Sequence, residues 1–154
     1  MKEETIKNLM NEGIRFGMKR SYGTIKQLVD KKVSLEEDKL FQDVVSEIRA
    51  WEEVIVKAGE VAEHHAEGET KYLLEMTVHT SRINLLCLTY MLDRENEYLD
   101  GLVEFIKIKK EEVENILEDV DKNGITDQNM EGLILNLVTY IPHYITELLR
   151  DFTR

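Results

Sequence analysis

Cysteine, proline and glycine are scarce in this sequence, and each shortage narrows the range of folds. The single cysteine, Cys87, excludes an internal disulfide and a cysteine-based zinc site. Its leucine neighbours predict a small, buried thiol rather than a reactive one. A sheet protein needs many turns, and 1 proline with 8 glycines in 154 residues is too few for them. A few long helices are therefore expected.

Long apolar runs are also missing. No run reaches the roughly 18 to 20 residues that span a bilayer. Residues Met1 to Thr5 lack the apolar core of a signal peptide. We therefore expect a cytoplasmic protein without membrane contact. Hydrophobic residues make up 42% of the chain, which is enough for one domain with its own core.

The charge is negative overall, at −11, but it is unevenly distributed. Residues 1–34 carry eight Lys and Arg against four Asp and Glu, whereas residues 93–131 carry five against thirteen. An acidic body repels phosphate backbones, so nucleic acid is not expected as a partner. The basic N-terminal segment is expected to dock on this acidic body.

Apolar residues recur at steps of three and four from Leu35 onward, which predicts helices. One pattern runs from a capping box at Ser34 to about residue 66, and a second follows Gly68. Two further patterns cover about 99–120 and 130–152. We predict an all-α fold, an antiparallel four-helix bundle of long amphipathic helices with one or two extra N-terminal helices. A single domain, 1–154, would have the basic segment 1–33 packed on a 34–154 bundle.

Local signals refine this prediction. Asn123-Gly124 reads as a C-terminal helix cap, and Thr126 or Asp127 as the next N-cap. Pro142 lies inside the last pattern and predicts a kink or break near residues 138–142. The stretch from Ile83 to Leu92 is apolar almost all round, which predicts a central, buried helix.

The N-terminal segment has a less regular pattern. Its apolar residues up to Phe16 predict one helix, and those near Ile25 predict a second, short one. The residues concerned are Ile6, Leu9, Met10, Ile14 and Phe16, then Ile25, Leu28 and Val29.

A candidate metal site lies at the turn between the first two long helices. Its residues are Glu60, Glu63, His64, Glu75 and His79. An antiparallel hairpin would place His79 opposite residues 57–60, and imidazole with carboxylate suits zinc, iron or nickel. The sequence lacks the Glu-x-x-His pairs that mark di-iron bundles, and it lacks His-Glu-x-x-His. The alternative interpretation is a solvated acidic helix end, with His79 facing the core.

Two acidic segments resemble known sites in part. Asp119 to Thr126 matches the first half of an EF-hand calcium loop, but Met130 stands where that loop needs a bidentate Glu. Glu118-Asp119-Val120-Asp121 supplies the Glu-x-x-Asp of all-helical nucleotide pyrophosphohydrolases, without their Glu-Glu-x-x-Glu. A Gly-capped helix end explains the first segment equally well.

An aromatic and polar cluster surrounds Pro142. It consists of Tyr140, His143 and Tyr144, with Tyr90 as a further candidate member. A broken helix there would free backbone carbonyls and open a small pocket, in which a histidine could act as acid or base. The alternative is that these residues have only a structural role, in which the tyrosine rings are buried and their hydroxyl groups contact water.

No assembled chemical site emerges, since phosphate-binding Gly-rich loops, Gly-x-Ser-x-Gly and paired cysteines are absent. Long amphipathic helices and an acidic face favour a non-enzymatic protein-interaction or regulatory module that binds a protein partner or self-associates as a homodimer. No cofactor is expected. Two alternatives stay open: a metal- or small-ligand-binding bundle using the Glu60–His79 region, and a magnesium-dependent all-α hydrolase of nucleotides or phosphoesters.

Overall fold

The computed structural model describes residues 14, 16–31, 38–65, 69–93, 96–124 and 128–153, with side chains over 14, 16–26, 42–63, 71–92, 99–124 and 140–153. These residues form five helices and no strand, which confirms the predicted all-α class. The helices are α1 (Phe16–Lys31), α2 (Asp38–His65), α3 (Glu69–Asp93), α4 (Asn96–Asn123) and α5 (Gln128–Phe152).

Helix α3 is the centre of the packing, because it contacts each of the other four helices. Its buried side chains mix apolar residues, such as Leu73, Met76 and Ile83, with small polar ones. Each fully buried aliphatic side chain stabilises the fold by about 1.5–3 kcal/mol. Trp51 of α2 is 1% exposed and is the largest of the fully buried side chains among the described residues. The packing is compatible with a helical bundle.

The predicted helix boundaries agree with the observed ones where the structure describes them. Helix α2 ends at His65 and α3 begins at Glu69, on either side of the predicted Gly68 turn. Helix α4 ends at Asn123, where Gly124 takes a left-handed φ of 73° and its N–H donates to the Val120 carbonyl at 2.8 Å. The Asn123-Gly124 cap is confirmed. The predicted caps at Ser34 and at Thr126 or Asp127 lie outside the described residues.

Three local expectations differ from the structure. Helix α1 spans 16 residues and is not short; it begins at Phe16, which is 63% exposed. Leu86 is 40% exposed, so the second half of α3 has one face towards solvent. Helix α5 continues through Pro142, so the helix does not break there, and the alternative of a kink stays a prediction. Of the first N-terminal pattern, only Ile14 and Phe16 lie within the described residues.

No described helix combines the length and the apolar character needed to cross a membrane.

Candidate functional site

The predicted metal ligands lie on α2 and α3. Glu60 and Glu63 are exposed on α2, whereas Glu75 and His79 are half-buried on α3. The side chain of His64 lies outside the described residues. Among the side chains that are described, no group of three or more His, Cys, Asp or Glu is arranged to hold a metal ion. Since His64 is not among them, the metal site stays a prediction, which elemental analysis of tag-free protein can check.

His79 lies beside α4. Its Nδ1 is 3.2 Å from Oε2 of Glu112, and Lys109 Nζ donates to the same oxygen at 2.9 Å. Nδ1 is buried without a hydrogen bond of good geometry, so the contact with Glu112 is electrostatic. Burial lowers the pKa of His79 more than the Glu112 carboxylate raises it, and Lys109 and Arg82 lower it further. The imidazole is therefore largely neutral at pH 7, and His79 of α3 packs beside the Lys109–Glu112 ion pair of α4.

The aromatic residues around Pro142 separate into a buried and an exposed group. Tyr144 is 3% exposed and its hydroxyl donates to Oδ1 of Asn84 on α3. Burial raises the pKa of Tyr144 well above its ordinary value, so the phenol keeps its proton and remains a donor. Tyr140 and His143 are exposed. This arrangement is structural: it joins α5 to α3.

Tyr90 is not part of this group. Its ring packs edge-on against Phe152, with ring centroids 5.9 Å apart. Tyr144 has two aromatic neighbours: Tyr140, which stacks on it at a centroid distance of 6.4 Å, and Tyr22 of α1, at 5.9 Å.

The calcium-like segment is helical. Asp119, Asp121 and Asn123 all belong to α4, and the chain leaves the helix only at Gly124. A helix turns about 100° per residue, so alternate side chains diverge and cannot enclose one ion. The Gly-capped helix end accounts for this segment.

The outer side of α4 is strongly acidic. Among the α4 side chains that the structure describes, seven carboxylates are exposed against two exposed lysines, Lys107 and Lys122. We call the exposed stripe at three- and four-residue steps the α4 acidic face; it consists of Asp100, Glu104, Ile108, Glu111, Glu114, Glu118 and Asp121. Ile108 is 49% exposed near its middle. At 1.5 Å per residue the stripe is about 30 Å long.

A buried polar cluster between α1 and α2 was not predicted from the sequence. Glu47 of α2 is 3% exposed; its Oε1 accepts from Ser21 Oγ at 2.9 Å and its Oε2 from Thr24 Oγ1 at 2.6 Å. Trp51 Nε1 donates to the same Ser21 hydroxyl at 2.8 Å. Arg20 Nε lies 4.0 Å from Glu47 Oε1. Two hydroxyl groups of α1 thus solvate a carboxylate of α2.

A second carboxylate meets α1 from α5. Asp151 is buried, and its Oδ1 lies 3.5 Å from Nζ of Lys26. Lys26 also lies 5.7 Å above the Tyr22 ring, within range of a cation–π interaction. Both Glu47 and Asp151 occupy the apolar stripe of their helices, where a charged residue is unusual. That mismatch is the sequence signal that could have revealed them.

Comparison of the chain with protein-family models, with curated proteins and with solved structures gave no match.

Proposed function

We propose that this chain is a non-enzymatic protein-interaction or regulatory module of the cytoplasm, which binds a basic protein partner through the α4 acidic face. The observation that carries this proposal is the row of exposed carboxylates along α4, with Lys107 and Ile108 exposed near its middle. Buried polar pairs elsewhere, such as Ser21 with Glu47 and Tyr144 with Asn84, join neighbouring helices.

Within the part of the chain that the structure describes, basic side chains neutralise little of the α4 acidic face. Lys110 Nζ lies 3.9 Å from Glu114 Oε1, a distance at which an exposed pair contributes little. Like charges along one helix repel each other, and a basic partner would relieve that repulsion. Ile108 would add apolar contact at the centre of the interface, where binding energy concentrates.

The test is capture of partners by the full-length chain from native cell extract, at low salt and at raised salt. A triple variant, Glu104→Gln, Glu111→Gln and Glu118→Gln, removes three charges from the α4 acidic face. A basic partner should be captured by the wild type at low salt, released at raised salt, and lost from this variant.

The matched control removes the same number of charges from α2. Glu52→Gln, Glu53→Gln and Glu60→Gln change exposed carboxylates and give the same net charge. A partner of the α4 acidic face should bind this control as it binds the wild type. Equal loss from both variants would mean that net charge alone drives capture. A partner that binds independently of salt would contradict the proposal.

We also propose that α2 to α5 form an antiparallel four-helix arrangement. Support comes from contacts between α3 and α4: Asn123 Nδ2 donates to Tyr72 Oη at 3.1 Å, while His79 meets Glu112. Residue numbers rise on α3 as they fall on α4. In a double-cysteine variant, cysteines at Tyr72 and Asn123 should crosslink, whereas cysteines at Tyr72 and Asp100 should not.

Sedimentation velocity on the wild-type protein measures whether it self-associates as a homodimer.

A further inference from the structure

We propose that α1 is a releasable helix, whose docking on α2 tightens when the carboxyl group of Glu47 takes up a proton. The geometry behind this is an interface that buries a carboxylate whose ion-pair partner among the described residues, Arg20, is distant and partly exposed to solvent. Ser21 and Thr24 supply neutral hydroxyl donors, while Arg20, whose side chain is 40% exposed, stays 4.0 Å away. A buried carboxylate loses much more hydration than two hydroxyl groups restore.

Docking and proton binding are linked through this group. Burial raises the pKa of Glu47; the hydrogen bonds from Thr24 and Ser21 and the charge of Arg20 offset part of that rise, and Asp43 adds to it. Release of α1 would expose Glu47 to water and return its pKa towards the ordinary value. The docked state therefore binds the proton more tightly than the released state.

The sign of the pH dependence follows from this difference. Below the pKa of the released state, Glu47 is protonated in both states and docking is strongest. As the pH rises from that ordinary value through the higher pKa of the docked state, docking weakens. Each pH unit between the two pKa values weakens the docking equilibrium about tenfold.

Few other ionisable groups act on Glu47. They are Arg20 from α1, Asp43 from α2 itself and Tyr144 from α5, which stays protonated through this range because burial raises its pKa. Among the described residues of α3, none acts on it. Asp151 of α5 is a further buried carboxylate that meets α1, through Lys26. A transition between mildly acidic and neutral pH that disappears in Glu47→Gln would therefore report on Glu47.

Apolar contacts hold α1 in place when Glu47 is neutral. Met18 and Ile25 are fully buried, and Gly17 lies against the Trp51 ring, since a Cβ built there would be 3.1 Å from two ring carbons. Trp51 is the only tryptophan in the chain. Its fluorescence therefore reads α1 docking directly, because release would expose the ring to water and to a quencher.

The experiment measures acrylamide quenching and the emission maximum of Trp51 in the full chain from about pH 4 to about pH 8, while circular dichroism follows the total helix content. For the wild type, quenching should rise by about twofold or more with pH, with a red-shifted emission, while most helix content is kept. Glu47→Gln keeps a hydrogen-bonding group and removes the charge, so its quenching should stay at the low-pH level throughout.

Control variants separate Glu47 from its neighbours. Glu52→Gln changes an exposed carboxylate of the same helix and should retain the wild-type profile, and so should Asp43→Asn apart from a small displacement. Thr24→Val removes a donor to the anion and should raise quenching more at pH 7 than at pH 4, even if Glu47→Gln does not fold. Wild-type quenching that does not change with pH, or Glu52→Gln behaving like Glu47→Gln, would overturn the proposal.

Discussion

The hydrogen bond between Tyr144 and Asn84 joins α5 to α3 inside the core. Both residues are buried, and Asn84 Nδ2 also donates to the Thr80 carbonyl at 2.9 Å. Tyr144→Phe removes only the hydroxyl and leaves Asn84 Oδ1 without its donor. An unpaired buried acceptor costs about 1–3 kcal/mol, so we expect the free energy of unfolding to fall by that amount in urea denaturation at pH 7.

Tyr140 on the same helix provides the matched control, since it is 40% exposed. Tyr140→Phe should change the free energy of unfolding by less than about 0.5 kcal/mol. If the two phenylalanine variants were equally stable, the Tyr144 hydroxyl would have no stabilising role.

The sequence predicted single residues well where one local property decides the outcome. Cys87 is fully buried, as its leucine neighbours indicated, and burial raises the pKa of its thiol. Glu47 was not predicted, because a charged residue on an apolar stripe becomes intelligible only when Ser21 and Thr24 of another helix are seen beside it. His79 lies in between: its core-facing position was expected, but its partner Glu112 was not.

Two glycines have opposite roles at α4, one within the helix and one directly after its last residue. Gly124 ends the helix with a φ of 73°, a conformation that strains any residue with a Cβ, whereas Gly101 lies within the helix with open space around it. Gly124→Ala should lower the free energy of unfolding by about 1 kcal/mol. Gly101→Ala should raise it by about 0.5–1 kcal/mol, because alanine loses less backbone entropy in a helix. Thermal denaturation of both variants measures the difference, and a stabilised Gly124→Ala would contradict the assigned cap.

The positions of the helices could be predicted from the apolar periodicity, because that pattern depends only on residues close together in the chain. The limits of α2 and α3 were predicted to within a few residues for that reason. Pro142 shows where local rules are insufficient. Its missing N–H weakens one turn, but burial of Ile141, Ile145 and Leu148 on the same helix favours continuation. Packing outweighs the local penalty here.

At the scale of the molecule, the sequence predicted the fold class but not the side-chain pairs that join the helices. His79 illustrates this, since its contact with Glu112 of α4 was not predicted, while its expected place opposite residues 57–60 of α2 stays a prediction. Docking of α1 depends on pairs such as Lys26 and Asp151, which are distant in the chain. Such pairs are fixed by three-dimensional complementarity, for which periodicity gives no signal.

Because the net charge is −11, added salt should stabilise the folded chain and weaken its binding to a basic partner. The exposed carboxylates of α2 and α4 repel one another in the folded chain, and salt screens that repulsion. The free energy of unfolding should therefore increase between about 0.05 M and about 0.5 M NaCl, as measured by urea denaturation. Binding of a basic partner to the α4 acidic face should weaken over the same range. The triple glutamine variant of α4 has three fewer negative charges, so its stability should depend less on salt. A wild type that loses stability as salt rises would show that attractive ion pairs outweigh the repulsion between carboxylates.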